Sequence, residues 1–326
     1  MNTHTQQNDN TNDLHVIFGA GQVGLTLADE LLARGKKVRL VNRSGKASVP
    51  ATVEVRAADA TDPAAVADLC RDAAAAYQCL GAPYAEQCEL FPRMQQAMTA
   101  GTGAAGAILV VLADLYVYGE THGQVITETT PHAATTRKGT VRRQIARDYQ
   151  QAHQDGKARI TVGRAADFYG PRVRNSVFGE NVFPPALAGK SAQVLGNINT
   201  RHSFSYIKDV ARGLATLGER PEALGREWLL PVAPAVTTRE MVRLVGEALG
   251  HPVRSLAIPK VAIQAMGIFN PQMREAVEMF YQFTEPQSVS SAQFEAAFGW
   301  QATPIDQAIR ETVAWFQKSA EGAKVG

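Results

Sequence analysis

Apolar and polar positions along the chain repeat with two periods, and each change of period marks an element. Leu14-His15-Val16-Ile17-Phe18 is a short, mostly apolar run suited to a strand buried on both faces. Beyond it, Val23, Leu27, Leu31 and Leu32 recur at helical spacing, and Gly35 closes that helix. Lys37–Asn42 reads as a second strand and Val53–Ala58 as a third. Thr61 or Asp62 can cap the next helix, with Pro63 in its first turn, and that helix runs through Leu69. Ala76–Gly81 reads as a fourth strand, a long helical region extends to about Gly101, and Ala107–Ala113 is a fifth strand. Arg137–His153 is an amphipathic helix and Ala158–Arg164 a sixth strand. This alternation predicts an α/β fold with a doubly wound parallel sheet. After Gly170-Pro171 the pattern loosens into short strands such as Ser203–Ile207 and helices over Thr238–Leu249 and Thr303–Gln317. That region is expected to form a smaller C-terminal lobe.

The first strand-to-helix turn carries Gly19-Ala20-Gly21-Gln22-Val23-Gly24, a G-x-G-x-x-G spacing. Gly19 permits the tight turn, Gly21 lets backbone approach a pyrophosphate, and Gly24 lets helix and strand pack closely. The free N–H groups of the helix N-terminus, Gln22 and Val23 among them, suit phosphate oxygens. In this context the motif predicts a Rossmann-type dinucleotide site over residues 14–170, its sheet completed by later segments. Residues 171–326 then supply mainly the substrate-binding lobe. The second strand ends in Asn42-Arg43-Ser44, where an NAD site usually has an acidic residue. A guanidinium fork with a hydroxyl suits a 2′-phosphate, so the expected cofactor is NADP, with NAD as the alternative. Arg43 beside Lys46 also reads as a basic surface loop. Asp59 and Ala60 at the third strand, and Leu80, Gly81 and Ala82 at the fourth, complete the expected cofactor contacts.

Composition narrows the function classes. With 326 residues, 45% hydrophobic and 20% charged, the chain can bury a large core. A net charge of +2 gives no reason to expect nucleic acid or an anionic membrane as partner. No apolar run approaches the ~20 residues that span a bilayer. Residues 1–13 are polar and read as a disordered leader. Cys70, Cys79 and Cys88 lack metal or disulfide spacing, so a reducing cytoplasm is expected and no metal. The expected partner is a small-molecule substrate, and a homodimer is allowed.

Five landmarks then occur in order: the glycine loop, Tyr116-Val117-Tyr118-Gly119, Gly163–Pro171, Tyr206-Ile207-Lys208-Asp209-Val210 and Phe298-Gly299-Trp300. With them the chain, over about residues 14–318, resembles the extended short-chain dehydrogenase/reductases of the NAD-dependent epimerase/dehydratase type. The glycine loop is one residue shorter than the usual G-x-x-G-x-x-G. The catalytic positions depart further. The resemblance implies a Ser or Thr where Asp114 stands, and a Tyr-x-x-x-Lys where the helix has Lys138-Gly139-Thr140-Val141-Arg142. Isoflavone-reductase-like members carry a Lys at the tyrosine position and use NADPH. That likeness implies a catalytic and cofactor-contacting Lys138, with Arg142 on the same helical face. Arg137, Lys138, Arg142, Arg143 and Arg147 also read as a solvated basic face, which is the better reading for Arg143 and Arg147. For Lys138 and Arg142 both readings stand open.

Asp114 and Tyr116 alternate along the end of the fifth strand, so both side chains are expected to project to one face. An Asp114–Lys138 ion pair at the cleft floor, with Tyr116 exchanging a proton with substrate, completes the expected machinery. Packing of Tyr116 and loop capping by Asp114 are the plainer alternatives. Tyr84, Asp167 and His202 are candidates to border the substrate. The expected function is an NADP-preferring atypical oxidoreductase transferring hydride to or from a small organic substrate. A non-catalytic NAD(P)-binding redox sensor and a nucleotide-sugar epimerase or dehydratase are the alternatives.

Overall fold

The computed structural model describes residues 13–325; all but the last residue of the expected leader lies outside the described residues. In chain order the elements are β1 (Leu14–Phe18), α1 (Gln22–Ala33), β2 (Lys37–Asn42), β3 (Glu54–Ala57), α2 (Pro63–Leu69), β4 (Ala73–Gln78), α3 (Gln87–Ala105), β5 (Ile108–Ala113), α4 (Arg137–Gln154) and β6 (Arg159–Arg164). The later part contains β7 (Asp167–Tyr169), α5 (Phe183–Leu187), β8 (Ala192–Leu195), β9 (Arg201–His202), β10 (Phe204–Tyr206), α6 (Ile207–Glu219) and β11 (Glu227–Leu229). It ends with β12 (Val236–Thr237), α7 (Thr238–Leu249), β13 (Ser255–Ile258), α8 (Lys260–Gly267), α9 (Pro271–Ala276), α10 (Ala292–Phe298) and α11 (Ile305–Val325).

The central sheet has seven parallel strands in the order β11-β6-β5-β4-β1-β2-β3. The strand order reverses between β1 and β4, and ligands of open α/β sheets sit at such a switch point. One face is sealed by α1 and α6, with Leu27, Leu31, Val210 and Leu214 fully buried. The other face is sealed by α2, α3 and α4, through residues such as Val66, Met98 and Tyr149. Asp62 caps α2, accepting from the N–H groups of Ala64 and Ala65, while Thr136 caps α4 by accepting from Gly139. A separate core around Tyr169, Phe183, Met241, Val245 and Phe316 ties α5, α7 and α11 to the short strands.

Several boundaries differ from the sequence expectation. The fourth strand starts at Ala73 and ends at Gln78, so Leu80, Gly81 and Ala82 lie in the loop beyond it. Its alanine-rich opening hides a buried strand from hydrophobic patterning. Ser203–Ile207 is divided: Phe204–Tyr206 is β10, and Ile207 already opens α6. The last helix begins at Ile305 rather than Thr303, because both the N–H and the hydroxyl of Thr303 donate to buried Asp209 at 2.8 Å. Among the described residues no helix is long and apolar enough to cross a membrane.

Candidate active site

The glycine loop is shaped by steric necessity. Gly19 holds φ +113°, and a Cβ there would sit 2.4 Å from the Cys79 carbonyl oxygen. A Cβ on Gly24 would lie 1.8 Å from the Gly19 carbonyl oxygen, so helix and strand meet only because both residues are glycine. At Gly21 the reverse holds: an added Cβ meets nothing within 4 Å. Gly21 is the N-cap of α1, without a side-chain cap and without an acidic residue in the first turn. The helix therefore presents N–H donors and a positive dipole end to open space, which fits a pyrophosphate. Val23 is buried in the core, so its contribution to such a ligand would be its N–H alone.

At the end of β2 the three candidate residues divide their work. Asn42 shapes the loop, its Oδ1 accepting from Gly45 N at 2.7 Å and from Ser44 Oγ at 3.0 Å, its Nδ2 donating to the Lys46 carbonyl at 2.9 Å. Arg43 projects from this braced turn into solvent. Asp59 accepts from the N–H and hydroxyl of Thr61, both at 2.9 Å, and these bonds hold its carboxyl below the usual range. Ala60 is buried beside it.

The loop opens into a cavity of about 920 Å³, lined by Gln22, Leu80 and Ala82 from the switch point and by Tyr84, Asp114, Tyr116 and Arg142. Asp114 and Tyr116 do not sit on a strand, since β5 ends at Ala113 and residues 115–118 form a turn. They share the cavity because the turn is tied back: Tyr116 N donates to Asp114 Oδ1 at 3.1 Å. The Asp114 carboxylate therefore also caps the loop. The Tyr84 and Tyr116 hydroxyls are 3.3 Å apart, in hydrogen-bond contact. Burial pushes Tyr84 up to about 12 and Tyr116 well above its ordinary value, so both phenols hold their protons at neutral pH.

The expected Asp114–Lys138 pair is not formed. Asp114 Oδ2 pairs instead with Arg142 Nε at 2.9 Å, and the Arg142 guanidinium lies 3.5 Å from the centre of the Phe91 ring. Lys138 is 2% exposed and does not line the cavity. Its Nζ donates to Glu275 Oε2 at 2.5 Å and to Glu278 Oε1 at 2.9 Å, beneath the Tyr84 ring. Two carboxylates from α9 and the turn after it outbid the single one at Asp114, and no sequence spacing links positions 138 and 275. Lys138 thus anchors a wall. Arg143 is half-buried and donates to the Ala134 carbonyl at 2.8 Å, so the solvated reading suits Arg147 but not Arg143.

Asp167 lines the cavity, and its Oδ2 lies 2.9 Å from His202 Nε2. His202 itself is buried between Phe204 and Phe283 and is connected to the cavity through Asp167. Sequence reasoning passed over three contributors. Tyr149 donates to Gln78 Oε1 at 2.5 Å, both on the lining. Arg164, buried at the end of β6, donates to the Asp114 carbonyl at 2.9 Å and to Glu227 at 2.6 Å. Burial raises the Glu227 carboxyl, but Arg164 and His132 outweigh it and bring it down to about 2. Tyr149 stands two turns after Arg142 on α4, a seven-residue spacing that could have been read.

Among solved structures, an epimerase from Methanothermobacter thermautotrophicus (Mth375) superposes with TM-score 0.78 at 14% identity, covering 96% of this chain and 95% of that one. MoeE5 in complex with UDP-glucose and NAD gives 0.75 at 20% identity over 94% and 99%. PA4631, a nucleoside-diphosphate-sugar epimerase from Pseudomonas aeruginosa, gives 0.75 at 15% over 95% and 99%. At these identities the likeness is one of fold. No curated protein matches by sequence. The family model for the NAD-dependent epimerase/dehydratase family matches residues 16–229, about two thirds of the chain, from within β1 to the end of β11, the last strand of the sheet in chain order. With the glycine cradle and the switch-point cavity in place, the chain belongs to the NAD-dependent epimerase/dehydratase family.

Proposed function

We propose that the chain is an NADP-preferring oxidoreductase that lacks the usual Tyr-x-x-x-Lys and reduces a small organic substrate. The observation that carries this reading is continuity: Gln22, Leu80 and Ala82, beside the glycine cradle, line the same cavity as Tyr84, Tyr116 and Asp114. Gly19, Gly21 and Gly24 with the N–H groups of Gln22 and Val23 would hold the pyrophosphate. Arg43 and Ser44 would meet the 2′-phosphate, and Asp59 the adenine. NADPH, when bound, supplies hydride. The protein's own part is the proton. A carbonyl oxygen gaining negative charge beside Tyr116 would take the proton of its phenol, and solvent would restore that proton through Tyr84, whose hydroxyl lies 3.3 Å away. A phenol protonated at neutral pH can give its proton to that oxygen, and the same group takes it back in the reverse direction. The Asp114–Arg142 pair fixes the turn that carries Tyr116.

The redox-sensor alternative draws support from the loss of Lys138 to Glu275 and Glu278. The open cavity beside the cradle favours turnover. Burial pushes the Cys70 and Cys79 thiols up to about 12, and with all three cysteines free a reducing cytoplasm remains our proposed compartment. The test is cofactor binding by calorimetry. NADPH should bind more tightly than NADH, and Arg43→Ala should erase most of that gap, about one to two decades for a charged hydrogen bond. Equal affinities in the unaltered protein would remove the NADP preference.

A further inference from the structure

The charges around the cavity say what kind of molecule it takes. Two cations line it among the described residues, Arg142 and Arg164, and both are already paired, with Asp114 at 2.9 Å and with Glu227 at 2.6 Å. Lys138, under the Tyr84 ring, is held by Glu275 and Glu278. Asp167 adds a carboxylate to the lining. The segment from α8 to the turn after α9 contributes Ile263, Met266, Met273, Met279, Phe280 and Phe283. Apolar character continues outward along α8 and just past its end, where Val261, Ile268 and Phe269 are exposed.

A diphosphate seated in this cavity would find carboxylates, methionines and neutral side-chain amides such as Asn175, Asn181 and Gln193, with both lining cations already paired. Desolvated charge without a partner is among the costliest arrangements in a protein. An uncharged body suits the same wall well. Methionine side chains are flexible and polarisable, so they mould to irregular apolar shapes. Resting on the oxidoreductase reading above, we infer that the substrate is an uncharged carbonyl compound with an apolar body, a medium-chain aliphatic or aryl aldehyde or ketone, and not a nucleoside-diphosphate sugar. Its carbonyl would lie at Tyr116 and its body against the methionine wall. Hydride adds to the carbonyl carbon as the C=O π pair moves to oxygen, which takes a proton from Tyr116. The alcohol leaves with both, and NADPH is the species oxidised.

The test separates this inference from the cofactor reading. NADPH binding is measured first, by calorimetry. The cavity is then loaded with the neutral fluorophore N-phenyl-1-naphthylamine and titrated with 2-undecanone, UDP and UDP-glucose. The ketone should displace the probe and the uridine compounds should not. In NADPH-oxidation assays across straight-chain aldehydes, KM should fall about fourfold per added methylene as each is buried. Met266→Glu, at a half-exposed position the fold tolerates, should weaken 2-undecanone at least tenfold and leave NADPH binding unchanged. Tighter binding of UDP-glucose than of ketone, failure of the ketone to displace the probe, or an unmoved ketone affinity in Met266→Glu would each overturn the substrate class. Ketone binding without NADPH binding would instead leave the substrate class standing and sink the oxidoreductase.

Discussion

Where the chain leaves β1 it presents backbone to the cleft; where β5 gives way to the turn at Tyr116 it presents side chains. The end proposed for the cofactor is made by three glycines within six residues, a helix N-terminus and a loop braced by its own Asn42. The end proposed for substrate draws Tyr84, Asp114, Arg142 and the neighbouring Arg164 and Asp167 from four separate stretches, each held by a partner far away in sequence. A backbone-built site is insensitive to most substitutions and fragile at a few glycines. A site built of side chains can change its chemistry one residue at a time without disturbing the sheet.

Substitutions can break this contrast. Tyr116→Phe should lower kcat by about two decades or more while NADPH affinity stays level, because it removes only the proton donor; stopped-flow NADPH oxidation and calorimetry read the two separately. An unchanged kcat would move the chemistry away from the turn. At the other end, Gly21→Val should weaken NADPH about a hundredfold or more with little change in Tm, since a Cβ there has no protein atom within 4 Å. Gly24→Val, facing the Gly19 carbonyl, should lose both binding and Tm. If the two glycine variants behave alike, the cradle is not open in the way described.

Acid sharpens the comparison from beneath the cofactor end. Burial, then Lys36, lowers His15 from 6.5 to about 4, and its Nδ1 meets the Tyr77 hydroxyl at 2.8 Å across β1 and β4. The folded chain therefore binds fewer protons than the unfolded one between these values. Stability is full above pH 6.5 and falls as pH drops to about 4, by up to about 3 kcal/mol. Urea midpoints across that window check it, and His15→Gln should flatten the slope. The smallest effect is expected at Lys138. Lys138→Met leaves Glu275 and Glu278 without their cation and should cost about 1–2 kcal/mol of stability, with NADPH affinity unmoved. A loss of kcat far beyond the loss of stability would restore Lys138 to the chemistry.

The sequence determined the sheet, the glycine cradle and the basic end of β2, because each depends on neighbours within a few residues. The strand runs and the strand-turn-helix placement of the G-x-G-x-x-G spacing were legible as local signals, although β4 was displaced because alanines carry little pattern. Tertiary structure alone decided which charges meet. Asp114 had two cations within reach, Lys138 and Arg142 on one helical face. The choice fell to Arg142 because Glu275 and Glu278, more than 130 residues along the chain, hold Lys138. It also decided that Tyr84 meets Tyr116 and that three methionines share one wall. Pairing energy depends on distance and burial in space, and a linear spacing encodes neither once the partners lie on different elements.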